Sequence, residues 1–454
     1  MIRNWCSFAL LALTLAFGRD LHAVQEFTGQ APSGAWYRIQ APDDWKPGDA
    51  LVLFQHGLDF NPADGPPSLG PLKSVMLAEG YAVAASAFNQ RGWAVFTAID
   101  DNRELVALFE QKLGLPGEIV PFGGSLGGLL ALKLAEAPGF PRVRMAYSLC
   151  PAAAGSRIWD TAIDLRLAYD VVCHGAGDLK KGSPPLPWAL NLRDIPNDLG
   201  DLQDQARVLP TLLDVTRCTG VGLPDYLRND AMDKRRDELM AFAHITDEKF
   251  FVTTLGYSIY VMSDLVRAPD KLGGRNPFTT AGVDYGSDAE IQAGIARIAA
   301  DPRAALQLRR ASDFHGRVGA AKILSMHTSR DQLVIPSNQE FVRKALPADQ
   351  LTSVLVDEDK PSHCGFTEPE GIAGWEALRA WRDGAAQPSA TSLQASCERL
   401  VALGYVTGAC RFDAESAIVP FDSLVPARPS SSLQPPSHST RALPLAPNRE
   451  RVAR

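Results

Sequence analysis

The chain has 454 residues, 46% of them hydrophobic and 21% charged, which is the make-up of a folded globular protein with room for one large domain carrying an insertion, or for two domains. Its formal charge of −7 understates the acidity of the body, because Arg428, Arg441, Arg449, Arg451 and Arg454 stand near the C-terminus against Glu450 alone. No basic stretch is interleaved with aromatic residues, so nucleic acid is not the expected partner.

Residues 1–23 read as a secretory signal peptide. Arg3 supplies the positive start, Cys6 to Phe17 an apolar core, and Leu21-His22-Ala23 a small-residue cleavage site. A membrane-spanning helix needs about 20 apolar residues, and Gly18-Arg19-Asp20 ends the run early. Stable membrane insertion is therefore not expected, and the destination is the periplasm or the cell exterior. Six cysteines remain after cleavage (Cys150, Cys173, Cys218, Cys364, Cys397 and Cys410), an even number in an oxidising compartment, which predicts disulfides. Cys397 and Cys410, in one short stretch, are the expected pair. A bond from Cys364 would brace the histidine just before it. No Cys-x-x-Cys spacing occurs, and no metal or other cofactor is expected.

In chain order, residues 24–154 alternate strands and helices. Trp36 to Ile39 reads as an edge strand and Ala50 to Gln55 as a buried one that ends in His56-Gly57-Leu58. A helix follows over Gly70 to Glu79, a strand over Tyr81 to Ala87, a helix over Asn102 to Leu113, and strands over Glu118 to Phe122 and Val143 to Leu149. This alternation predicts an α/β architecture, a mostly parallel, doubly wound sheet covered on both faces. From 155 to 317 it stops. Helical patterns over Ile163 to Val172, Leu202 to Thr216, Ala231 to Ala243 and Ser287 to Ala300 predict a helical cap inserted in the sheet order; an independent domain is the other reading.

The alternation resumes over 318–385, with strands at Lys322 to His327 and Thr352 to Val356 and helices at Asn338 to Ala345 and Glu368 to Arg382. A small C-terminal module over 386–425 holds the last two cysteines. Residues 426–454, rich in proline, serine and arginine, are expected to be disordered.

Chemistry concentrates at Gly123-x-Ser125-x-Gly127, where an apolar strand runs into glycines and then into a helical pattern. There a serine on the corner is pushed out above the sheet, and the glycines let the backbone pack closely. Taken alone, such glycines are as well explained by an ordinary strand-to-helix turn, and the spacing does not fit the dinucleotide motif Gly-x-Gly-x-x-Gly. Two further residues meet the same positional condition. Asp331 follows the strand ending at His327, and His363 follows the strand ending at Val356, which gives the order Ser, Asp, His. His327 could mimic the base, although a packed core histidine explains it more simply. Asp357 and Asp359 compete with Asp331 for the acid, but they share a loop with His363 and can face it less easily. Asp59 and Gln90 read as solvated loop residues rather than polar groups at a site mouth.

With these motifs the chain resembles the secreted bacterial α/β-hydrolases of the esterase and lipase type. Its His56-Gly57 loop, its Asp331-x-x-Val334-x-Pro336 run and its His363-Cys364-Gly365-Phe366 run resemble the prolyl-oligopeptidase-like branch. The resemblance covers about residues 34 to 385, little of it in the cap, and Gly124 departs from the commonest elbow, which has a larger residue before the serine. It implies a serine hydrolase. Ser125 would be the nucleophile, His363 the base and Asp331 its orienting acid. The amides of Leu126 and Leu58 would form the oxyanion hole. On resemblance alone, Asn89 to Trp93 would edge the site. The expected substrate is a small ester, cleaved with the aromatic-rich cap selecting a bulky apolar group. An amidase or peptidase on the same residues is the alternative, and a catalytically idle binding protein a third reading. A metal-dependent lactonase or deacetylase would need clustered ligands that the sequence lacks.

Overall fold

The structure is a computed structural model and describes residues 23–61, 63–175, 212–286, 288–415 and 417–429. Residues 1–22 of the expected signal peptide, the first part of the helix expected from Leu202 and residues 430–454 lie outside them.

Among the described residues nine strands form one sheet in the order β1-β2-β4-β3-β5-β6-β7-β8-β9. The strands from β3 (Ala50–Gln55) through β4 (Ala82–Ser86), β5 (Glu118–Gly124), β6 (Met145–Leu149), β7 (Lys322–Thr328) and β8 (Leu351–Val356) run parallel. β1 (Val24–Gln30), β2 (Trp36–Pro42) and β9 (Phe412–Asp413) are antiparallel to their neighbours. Successive side chains on a strand point to opposite faces, and here both faces are covered, so the central strands are apolar throughout. Val52 and Phe54 pack with Met76 of α1 (Lys73–Ala78), Trp375 and Leu378 on one face. Leu51 and Leu53 join Leu105 and Phe109 of α2 (Ala98–Leu113) and Leu134 on the other. This is the expected doubly wound layout. Because the strands are parallel, their carboxyl ends collect along one edge, and every candidate residue lies just past such an end.

Some elements differ from expectation. Trp36 to Ile39 is not the edge: β1 lies outside it, and that polar, half-exposed strand carries little hydrophobic pattern. Of the helix expected over Ser287 to Ala300, only α8 (Ala289–Gly294) forms, and the chain after it runs back to bond Thr280 through Ile298. Between β6 and β7 the chain also folds into α4 (Asp160–Asp170), α5 (Asp230–Phe242), α6 (Glu248–Gly256), α7 (Met262–Arg267) and α9 (Pro302–Ser312), with a helical turn at 212–219. Two stretches were not expected to be helical. The one over α6 and α7 is apolar nearly all round, so it lacks an amphipathic period. The other, α9, is announced by Asp301 as N-cap with Pro302 at the first turn.

Aromatic and aliphatic side chains of these helices, such as Tyr169, Phe251 and Leu265, share one core with Leu126, Leu129 and Leu130 of α3 (Leu126–Glu136). At the C-terminal end, α12 (Ala390–Ala402) packs on α11 (Glu368–Arg382), and β9 adds a strand to the sheet beside β8. Residues 386–425 are therefore joined to the sheet itself. Residues 426–429, expected to begin a disordered tail, are packed, with Arg428 buried against Asp160 and Asp164. Among the described residues no helix is long and apolar enough to cross a membrane.

Candidate active site

The serine corner has the expected strand-to-helix geometry. Ser125 adopts φ 60° and ψ −125°, a conformation that costs a non-glycine residue energy unless its surroundings fix it. They do so here. Its N–H donates to Leu149 O at 3.0 Å, and its carbonyl accepts from Leu129 N and Ala152 N, both at 3.2 Å. The flanking glycines are dictated by close backbone approach: a Cβ on Gly127 would stand 2.0 Å from Gln55 O, and one on Gly123 2.5 Å from the same oxygen.

His363 lies between Ser125 and Asp331. Its Nε2 is 2.9 Å from Ser125 Oγ and its Nδ1 is 2.8 Å from Asp331 Oδ2. With the Nδ1–H donating to the carboxylate, Nε2 is left bare to accept the serine hydroxyl proton. Asp331 is 2% exposed, and its carboxylate also accepts from the backbone N–H groups of Leu333, Val334 and Cys364 at 3.0 to 3.2 Å. These contacts fix its orientation. A parallel bridge between Asp331 and Ser362 ties its loop to the one bearing His363.

The competing candidates lie elsewhere. His327 is fully buried; its Nε2–H donates to Val334 O at 2.6 Å, and burial holds its pKa below the usual histidine value. Asp357 accepts from Ser329 Oγ at 2.8 Å, and the backbone carbonyl of Asp359 accepts from Arg330. Gln90 is not solvated: it is 6% exposed and donates to Asp270. It and Asp59 line a separate polar groove with His56 and Lys271, and of Asn89 to Trp93 only Trp93 reaches the cavity beside Ser125.

Three disulfides are present: Cys150–Cys364, Cys173–Cys218 and the expected Cys397–Cys410. Among the described residues, the one group of three side chains placed to share a metal ion is Cys150, Asp331 and Cys364, and its two sulfurs are bonded to each other.

Two clefts meet at Ser125. The first, about 860 Å³, runs under the helices between β6 and β7; Leu126, Trp93, Trp159 and Leu333 are on its walls, and among the described residues no Asp, Glu, Lys or Arg lines it. The second, about 1400 Å³, lies on the other side, with His363, Phe366 and Leu149. Leu58 and Tyr257 border both. The Leu126 amide opens α3 and has no carbonyl four residues back inside the helix. Leu58 follows Gly57, which packs beside Ser125. Sequence reasoning missed Phe421, Leu424 and Val425, which also wall the first cleft; a proline-rich stretch some 300 positions from the serine carries no local pattern that places it there.

A mostly parallel sheet in this strand order, with a serine corner after β5 and an aspartate and a histidine after β7 and β8, is the α/β-hydrolase fold. No protein-family profile matches the chain, and no curated protein does. Among solved structures it is similar to puromycin hydrolase, at 13% identity and a TM-score of 0.40 over 80% of this chain and 40% of that one. It is also similar to an esterase of Pyrobaculum calidifontis, at 15% and 0.36 over 83% of this chain and 90% of that one. A third is the esterase domain of a Rhodothermus marinus protein, at 14% and 0.34 over 79% and 98%. The chain thus spans two fifths of the length of puromycin hydrolase. Likeness this distant says nothing of substrate.

Proposed function

We propose that this chain is an exported serine hydrolase that cleaves carboxylic esters through an acyl-enzyme on Ser125. The observation that supports the reading is the placement of His363 within hydrogen-bond reach of both Ser125 Oγ and Asp331 Oδ2. Ser125 Oγ attacks the ester carbonyl as its proton passes to His363 Nε2. Asp331 holds the imidazole tautomer and stabilises the cation. The amides of Leu126 and Leu58 receive the oxyanion, at about 3 to 4 kcal/mol per donor. As the tetrahedral intermediate collapses, the C–O bond to the alcohol breaks and the alcohol takes the proton from His363. A water molecule, deprotonated by the same nitrogen, then attacks the acyl carbon; the bond from that carbon to Ser125 Oγ breaks, Oγ takes the proton back from His363, and the acid leaves.

The two clefts take different halves of the substrate. His363 borders only the second, and it must reach the leaving oxygen, so the alcohol departs there. The acyl group then occupies the first cleft, whose described walls are mostly apolar. Export is supported by the three disulfides and by the apolar N-terminal run. The test is turnover of p-nitrophenyl esters against matched p-nitroanilides. Ester hydrolysis with anilide hydrolysis slower or absent is expected; anilide hydrolysis alone would make the chain an amidase, and failure to hydrolyse either substrate would contradict the proposal.

A further inference from the structure

Residues 417–429 cross from the sheet body to the helices above it, and both ends of the crossing are anchored. At the near end, Phe421 N–H donates to Glu340 Oε2 at 2.6 Å, and the Phe421 ring meets Phe341 edge-on at 5.0 Å. Both partners lie on α10 (Gln339–Ala345). At the far end, the Arg428 guanidinium is 2.9 Å from Asp164 and 3.4 Å from Asp160, on α4. Tyr285 O–H donates to Asp164 at 2.8 Å. Arg157 ties the middle, with its guanidinium over the Phe421 ring at 4.9 Å, an ion pair to Asp422 and a 3.3 Å bond to Pro426 O.

This ionic cluster is nearly dry: Asp160, Asp164 and Arg428 are each 9% exposed or less. Buried ion pairs add little net stability, since desolvation offsets their attraction, but removing one partner strands a charge. Such a cluster fixes position more than it strengthens the fold. What it holds in place is apolar: Phe421, Leu424 and Val425 face the cleft that starts at Ser125, whereas the three ionic residues do not line it.

We infer that residues 417–429 are a latched strap whose apolar side chains form a wall of the acyl cleft and set the size of acyl group it accepts, with Phe421 as the determining residue. The inference rests on the hydrolase reading for its substrate but not for its geometry.

Two variants change the wall in opposite directions. Phe421→Ala enlarges the cleft and should raise the kcat/KM ratio of p-nitrophenyl octanoate to acetate at least tenfold; Phe421→Trp fills it and should lower that ratio at least tenfold. Should the alanine variant fail to fold, the tryptophan variant decides alone. Binding separates this inference from the catalytic one. In a Ser125→Ala background, calorimetry with decanoate and hexanoate reads the cleft without turnover, and the affinity ratio should move in the same directions. A shift in binding with no ester turnover in the parent protein would sustain the strap and reject the esterase. Ratios unchanged within twofold in both assays would overturn the strap.

Discussion

Cys364, the residue after His363, is bonded to Cys150 just past the end of β6, and its sulfur stands 3.7 Å from His363 Nε2. The same Cys150 donates its N–H to Met326 O on β7 at 2.7 Å. One covalent link thus joins the histidine loop to the end of β6, the strand next to β5 and its serine corner, and a hydrogen bond carries the connection on to β7. Replacing the pair by alanine should lower kcat at least tenfold and cost about 2 to 5 kcal/mol of stability. The equivalent removal of Cys397–Cys410, remote from Ser125, should lower stability while kcat stays within about threefold. Steady-state kinetics beside urea unfolding distinguishes the two effects, and an equal kcat loss in both would remove the bracing role.

Asp331 is distinguished from its sequence rivals by what it touches. In Asp331→Asn the side-chain amide can donate toward His363 and favours the wrong tautomer, so kcat should fall about 10⁴-fold. Asp357→Asn and Asp359→Asn should leave kcat within about threefold. A comparable collapse in either of the last two would reassign the acid.

The glycines of the corner are not equivalent. Gly127→Ala drives a methyl group into the Gln55 backbone carbonyl and should cost about 3 kcal/mol or more, because neither backbone can yield. Gly124→Ala meets Cys150 Sγ and Leu149 at 3.8 Å, ordinary contact, and should cost under about 1 kcal/mol. Thermal unfolding of the two variants side by side checks the contrast; similar melting shifts would refute the close-packing account.

How much of this was legible beforehand depends on where each residue stands. Ser125, Asp331 and His363 could be read because each follows a strand with a clear apolar run, and a parallel sheet delivers such positions to one edge. The central strands were legible for the same reason. Phe421 and Arg428 were not, because their roles depend on contacts with Phe341, Arg157 and Asp164 that are remote in sequence and leave no period. The α6–α7 stretch hid in its own hydrophobicity. Gln90 read as a solvated loop residue since nothing local reveals that Asp270 covers it.

His327 makes acid stability a test of core packing. Its Nδ1 faces the Gln339 amide at 3.4 Å and its Nε2–H is taken by Val334 O, an arrangement that suits the neutral ring. Burial lowers its pKa from 6.5, and the opposing pull of Asp331 is smaller. Below about pH 6.5 the unfolded chain therefore binds a proton that the folded chain refuses, so this contribution to stability is present above pH 6.5 and is lost as the pH falls. His327→Gln should flatten the decline by up to about 1.4 kcal/mol per pH unit. Urea unfolding at pH 7.5 and 5.0 reads the difference, and parallel declines in the two proteins would refute it.

The central claim is that His363 makes Ser125 a nucleophile. Intact-mass analysis after treatment of the oxidised protein with a fluorophosphonate tests it most directly. One adduct, mapped to Ser125, absent in Ser125→Ala and slowed at least a hundredfold in His363→Ala, is the predicted result. A folded, oxidised protein that takes up no label, or takes it up equally fast without His363, would contradict the claim.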